Sequence, residues 1–216
     1  SRVGRGRLLV SALRHTGSDN AAGLWLLHTL LQYRADGPEP NNALSEPVRQ
    51  AMREKLHEQT ISLVPMPWRF APDPDNKGLD AGWHLPSLPD EHWKEIRIGR
   101  HWEAQGYPAL DGWAWYRIKL DVPESWKDCP VYLSFEGADD HYELYVNGEL
   151  AGSGGDIATK QTAFEERKSH DVTRFVTPGA AVQIAIRVYD WQGAGGLFRP
   201  ITLGTARMNP AAEVLK

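Results

Sequence analysis

From Ile61 onward, apolar and polar residues alternate along the chain. Tyr116, Ile118, Leu120 and Val122 are interleaved with Arg117, Lys119 and Asp121. Val131, Leu133 and Phe135 alternate with Tyr132, Ser134 and Glu136, and Tyr142, Leu144 and Val146 with His141, Glu143 and Tyr145. Val182, Ile184, Ile186 and Val188 alternate with Gln183, Ala185 and Arg187. Successive side chains of a strand point to opposite faces, so each run reads as a half-buried antiparallel strand with its apolar set inward. A slip of one residue would invert every face, which makes the predicted register specific. Asn147-Gly148 lies between Tyr142–Val146 and Leu150–Ala151 and predicts a two-residue hairpin. Phe198 to Leu203 reads as the last strand. Gly, Pro and Asp clusters separate the runs, as in an antiparallel two-sheet sandwich or jelly roll over 61–207, with 208–216 as a tail.

The first sixty residues carry a different period. Arg7 to Leu13 is a short apolar run that predicts a buried strand. Ser18-Asp19-Asn20 offers capping oxygens for a helix from Ala21 to about Tyr33, and Leu24, Leu27 and Leu31 share one face of it. Asp36-Gly37-Pro38 ends that helix, and residues 38–42 read as a linker. Pro47 stands in the first turn of a second helix that reaches about Gln59, with Val48, Met52 and Leu56 as its stripe. Residues 1–60 are therefore expected to form an N-terminal strand and two-helix segment, the end of a preceding α/β domain. Its apolar stripe needs cover from the jelly roll or from another chain.

Composition narrows the function. A chain of 216 residues accommodates one domain and an attached segment. A net charge of −4 argues against a duplex nucleic-acid partner. One Cys excludes an internal disulfide framework, and Cys129 reads as an inert thiol. No apolar run approaches the length of a membrane-spanning helix, so no membrane partner is expected. The sequence opens at Ser1 with neither Met nor signal peptide and reads as a piece of a longer protein. Nine Trp residues point to an aromatic sandwich core, a sugar-stacking surface, or both. Trp68, Trp83, Trp93, Trp115 and Trp126 are assigned to packing. Trp102, Tyr107 and Trp191 are candidates for sugar contact.

In such folds the end loops carry the chemistry. The loops at 101–113, 137–141, 152–165 and 189–198 stand out. They supply a candidate carbohydrate-binding set of Trp102, Glu103, Tyr107, Asp111, Trp113, Asp139, Asp140, His141, Asp190, Trp191 and Arg199. A sugar has an apolar C–H face and a hydroxyl rim, which flat rings with carboxylate and guanidinium neighbours complement. Each assignment has a plainer competitor. The aromatic residues could plug the ends of the sandwich. Asp139 and Asp140 fit turn chemistry or a cation as well as hydroxyls. Arg117, Arg187 and Arg199 fit ion pairs with Glu136, Glu143 or Asp190. If the strands beginning near Trp113 and Asp140 run in one sense and the Val182 strand in the other, the loops at 102–113, 139–141 and 190–199 meet at one end.

Gly193–Gly196 lacks the Lys-Ser/Thr of a phosphate loop, and Gly152-Ser153-Gly154 lacks the context of a nucleophile elbow. The His residues show no metal-ligand spacing. Asp73 and Asp75 fail as a calcium loop because Lys77 and His84 stand where oxygen ligands belong. No catalytic residue, resident metal ligand or cofactor is predicted.

Six stretches carry a family resemblance: Met66-Pro67-Trp68-Arg69-Phe70, Asp111 to Arg117, Gly137-Ala138-Asp139-Asp140 with Tyr145-Val146-Asn147-Gly148, Asp171-Val172-Thr173, Ile186 to Asp190, and Gly195 to Pro200. In this order, residues 66–204 resemble the galactose-binding-like jelly-roll domain of glycoside hydrolase family 2, the sugar-binding domain of β-galactosidase-like enzymes. Residues 7–35 are similar to the last strand and helix of an amidotransferase-like α/β domain. The first resemblance implies a non-catalytic carbohydrate-binding or substrate-presenting module, because the family's catalytic glutamate pair lies in a separate barrel that this chain does not match. It implies a glycan ligand, the catalytic domain of the parent protein as partner, and a secreted or periplasmic parent. A structural calcium ion is a further candidate, since some galactose-binding-like domains carry one. The competing readings are a structural docking or spacer domain without a ligand, and a glycosidase in its own right.

Overall fold

The computed structural model describes residues 2–3, 6–7 and 59–206. The chain divides into two compact units, Ser1–His57 and Glu58–Lys216. In the first, β1 (Arg2–Val3) pairs antiparallel with β2 (Gly6–Arg7). The helices expected over 21–33 and 45–59, the strand expected from Arg7 to Leu13 and the tail at 208–216 lie outside the described residues, save for Arg7 and Gln59.

The second unit is built from ten strands. They are β3 (Thr60–Ser62), β4 (Trp68–Pro72), β5 (Lys94–Ile96), β6 (Gly112–Asp121), β7 (Tyr132–Phe135), β8 (His141–Val146), β9 (Glu149–Gly154), β10 (Lys168–Asp171), β11 (Ala181–Asp190) and β12 (Ile201–Gly204). A four-stranded sheet has the order β10-β7-β12-β3, and a six-stranded sheet the order β5-β4-β6-β11-β8-β9. Every pairing is antiparallel. The result is the mainly-β, two-sheet jelly roll that the alternation predicted. Asn147 and Gly148 join β8 to β9 with φ of 51° and 88°, the left-handed pair that a tight hairpin requires.

The inward-facing sets form one core. Trp68, Phe70, Tyr116, Leu144, Ile186 and Val188 of the larger sheet meet Leu133, Phe135, Ile201 and Leu203 of the smaller, and all are buried. Phe135 and Tyr142 stack across the gap between the sheets with ring centres 4.2 Å apart. Of the predicted inward residues in β6, only Leu120 remains half-buried. Trp68, Trp93, Trp115 and Trp126 are buried, and the half-buried Trp83 packs with Trp93 and Trp115, as assigned from the sequence.

The middle of the larger sheet departs from the half-buried expectation. Its outer face is also covered, by the segment between β4 and β5. Trp93 packs there with Trp115, Tyr145 and Ala185, backed by Leu79, Trp83 and Leu88. Arg117 is 1% exposed and donates to Asp90 Oδ2 at 2.7 Å and to the Trp83 carbonyl. Its partner therefore comes from the covering segment and not from a neighbouring strand. Arg187 does pair across the sheet, with Glu143 at 3.1 Å, while Arg199 pairs with Glu165 at 3.7 Å. The covering segment is pinned by Asp73. Its carboxylate accepts the backbone N–H of Lys77 at 2.8 Å and of Gly78 at 2.9 Å, and the Trp115 indole N–H at 3.0 Å. A Cβ on Gly78 would stand 2.5 Å from Trp115 Nε1, so only glycine fits this approach.

His170 on β10 supplies a pH-dependent term. It is buried against Phe135 and meets the Tyr142 hydroxyl at 2.8 Å. Burial, reinforced by Lys168 and opposed by Glu166, lowers its pKa to about 4. A histidine depressed in the folded state takes up its proton first in the unfolded chain. Stability from this group is whole above pH of about 6.5 and is lost as pH falls toward 4. Urea unfolding at pH 7 and pH 4.5 should show His170→Gln losing less stability on acidification than the parent, by about 2 kcal/mol. The carboxylates act on both proteins alike, so equal losses would show that His170 carries none of the dependence.

Candidate functional site

β11 lies between β6 and β8 and runs antiparallel to both, so β6 and β8 run in the same sense. The starts of β6 and β8 and the end of β11 therefore share one end of the sheet. Gly112 faces Asp190, and Tyr189 faces Trp113 on one side and His141 on the other. This satisfies the condition under which the loops around Asp111, Asp139 and Asp190 converge.

On the outer face at that end stands an aromatic row. The ring centres of Trp113 and Tyr189 are 4.9 Å apart, those of Trp113 and His141 5.9 Å, and those of Tyr189 and Trp191 6.3 Å. The Arg187 guanidinium lies 3.7 Å from the Trp113 ring centre, a cation–π contact that fixes the ring from below. Trp113, Tyr189 and Trp191 are half-buried, and His141 is buried. Tyr189 belongs to this row but was not among the sequence candidates. Its parity with Ala185 and Arg187 was the available signal. Beside the row, burial alone would raise the Glu143 pKa. The His141 imidazole 3.9 Å away, the hydrogen bonds from Tyr145 and Arg187 and the Arg187 charge outweigh it and hold the carboxyl at about 2.

Beside the rings lie the carboxylates. One ligand atom from each of Asp139, Asp140 and Asp190 falls within 4.8 Å of the others. Backbone pairing fixes the three. Asp139 exchanges N–H···O bonds with Gly196 at 3.1 and 3.2 Å, and Asp140 donates its N–H to the Tyr189 carbonyl at 2.8 Å. Asp140 Oδ2 accepts the Trp191 N–H at 3.1 Å, and Asp190 Oδ1 accepts the Gln192 N–H at 3.0 Å. Burial raises the Asp139 pKa well above the ordinary carboxylate range. Its hydrogen bond to Asp140 and the charges of Asp140, Asp190 and Glu103 add to the effect. Burial also pushes Asp190 up to about 6, helped by Asp140, Asp111 and Glu103 and opposed by the Gln192 N–H. Asp111 is exposed at the rim.

The remaining candidates serve the scaffold. Trp102 is wholly buried, with its indole N–H donated to the Leu110 carbonyl at 3.0 Å and its ring against Phe70. It offers no open face for a sugar. The reason is the Gly195-Gly196 approach: a Cβ on Gly195 would lie 2.3 Å from the Trp102 ring, so the two glycines close over the indole. Glu103 clamps the same turn, both of its carboxylate oxygens accepting the Gly195 N–H at 3.1 Å. Tyr107 packs edge-on against Phe70 at 4.7 Å. Arg199 sits against the rings of Phe164 and Phe198 and pairs with Glu165.

Residues 62–199 match the family described as glycosyl hydrolases family 2, sugar binding domain. A β-galactosidase of Priestia megaterium is 24% identical over 182 residues, which cover 73% of this chain and 16% of that protein. A β-glucuronidase of Paenibacillus borealis is 29% identical over 130 residues, 58% of this chain and 21% of its own. The chain thus spans a minor fraction of the curated relatives it matches. Among solved structures, a β-glucuronidase from Ruminococcus gnavus shares the fold with a TM-score of 0.60 at 16% identity, over 69% of this chain and 30% of that one.

Trp102 and Trp191 should separate cleanly in unfolding experiments. Trp102→Ala empties a packed site and is expected to cost about 3–5 kcal/mol. Trp191→Ala, at a half-buried loop position, should cost less than about 1 kcal/mol. Denaturant titration of both variants checks this, and comparable losses would place Trp191 in the core instead of on the ligand face.

Proposed function

Since this chain belongs to the sugar binding domain family of the family 2 glycosyl hydrolases, we propose that it is a non-catalytic carbohydrate-binding or substrate-presenting module of a larger β-galactosidase-like enzyme. The observation that carries this reading is the convergence of the Trp113–Tyr189–Trp191 row with the carboxylates of Asp139, Asp140 and Asp190 at one end of the sandwich. A sugar laid on that row places its C–H face on the exposed part of the rings. Its hydroxyls then reach the half-exposed Asp139 and Asp140 and the rim carboxylate of Asp111. The names of the relatives point to β-galactosides and β-glucuronides as the glycans to try first. The matched family is the sugar-binding part of these enzymes, so hydrolysis is assigned to the remainder of the parent protein, which is also the natural partner of this module.

A shallow, open site leaves much of a sugar solvated, so affinity is expected in the millimolar range. Calorimetric or NMR titration of the chain with lactose and with a β-glucuronide should show saturable binding. Trp191→Ala should weaken it about ten- to a hundredfold, the effect of losing one stacking contact of about 1–3 kcal/mol. A parallel assay on chromogenic β-galactosides should show no turnover. Absence of binding to any neutral or acidic glycan would favour the docking-domain reading. Turnover abolished by one loop-carboxylate substitution would make the chain an enzyme.

A further inference from the structure

We propose that Asp139, Asp140 and Asp190 hold a hard divalent cation of the calcium class, which ties the start of β8 to the end of β11. Two observations carry this beyond a cluster of acids. The first is that Asp190 is completely buried and no donor reaches its Oδ2. A carboxylate oxygen withdrawn from water keeps its charge only with a hydrogen bond or a positive charge beside it. The second is the lack of a compensating cation. Among the described residues, no Lys or Arg ion pair reaches any of the three carboxylates. Arg187 is committed to Glu143 and Asn76, and Arg199 to Glu165. The other charges that bear on Asp190 and Asp139 are Glu103 and Asp111, of the same sign.

The geometry suits a calcium ion. Calcium takes oxygen ligands at about 2.3–2.6 Å, so opposite ligands of its shell stand roughly 5 Å apart. The three carboxylates offer atoms within 4.8 Å of one another. An all-oxygen, all-carboxylate set selects hard ions over zinc or copper. Backbone bonds hold the set in place: Asp139 to Gly196, Asp140 to Tyr189 and Ala163, and Asp190 within β11. A preorganised set of ligands loses little freedom on binding. A shared proton would neutralise only the Asp139–Asp140 pair and leave Asp190 Oδ2 unmatched, whereas one cation reaches all three. Asp139 and Asp140 are half-exposed, so the remaining shell positions are filled by solvent. This inference is independent of the sugar-binding reading and survives its failure.

The test uses the whole chain, stripped with EDTA and dialysed. Titration with Ca2+ by calorimetry should give one saturable site with a dissociation constant of about 1 mM or tighter. The melting temperature should rise by several degrees at saturating Ca2+. Tb3+ should show luminescence sensitised by the neighbouring Trp191 and should be displaced by Ca2+. Asp190→Asn and Asp139→Asn should each weaken binding at least about tenfold. Glu149→Gln, exposed on β9 and outside the trio, should leave it within about threefold, since a distant surface charge contributes only screened attraction. If the buried Asp190→Asn variant fails to fold, the half-exposed Asp139→Asn decides. Absence of a saturable Ca2+ or Tb3+ signal up to about 10 mM, ten times the weakest constant expected of a calcium module, would overturn the proposal. So would affinity unchanged by both substitutions.

Discussion

The pairing of β11 with β6 and β8 is the constraint on which the rest of the molecule depends. All ten residues of β11 face β6, from Ala181 opposite Asp121 to Asp190 opposite Gly112. Its other edge carries β8 from Ile184 to Tyr189. Because side chains alternate faces, this double register decides at once which residues enter the core and which loops become neighbours. Tyr116, Ile186 and Leu144 fall inward together, and Trp113, Tyr189 and His141 fall outward together. Antiparallel direction then delivers Asp140 and Asp111 to the end where Asp190 stops.

The outer face of the same sheet shows how a long connection becomes part of a core. Between β4 and β5 the chain folds back over Trp115, Tyr145 and Arg117, and Asp73 fastens it through three hydrogen bonds. Buried Arg117 is tolerated because the covering segment brings Asp90 and a carbonyl to it. Toward the end of the sheet the rings of Trp113, Tyr189 and Trp191 remain half-buried. A row of partly exposed rings beside acids is costly to leave without purpose, and it lies where the fold brings its loops together.

The carboxylates at this end work against the stability of the domain. Burial and mutual repulsion raise the pKa values of Asp139 and Asp190, so their charged forms are less favourable in the folded than in the unfolded chain. For such groups stability rises as pH falls through the folded value, the reverse of an ion-paired aspartate. The scaffold nevertheless retains the cluster, with Glu103 clamping the Gly195 turn and Gly196 bridging to Asp139. A backbone arranged to keep acids close together is better understood through what they bind than through what they stabilise.

Local pattern was enough to read the strands, their inward faces, the Asn147-Gly148 hairpin and the two-sheet class. Each follows from side-chain alternation or from the φ preference of a few adjacent residues. The convergence of the Asp111, Asp139 and Asp190 loops was legible too, given strand directions that antiparallel pairing supplies. Which aromatic residue stays open was not legible. Trp102 and Trp191 both sit in loops between similar neighbours, and only the approach of Gly195 and Gly196, more than ninety positions along the chain, encloses Trp102. The covered face of Trp115 and Arg117 likewise depends on Asp73 and Asp90. Alternation tells a residue which face it is on, but whether that face meets water is decided by segments distant in sequence. Their contacts leave no period in the chain, and they exist only once the sheet has formed.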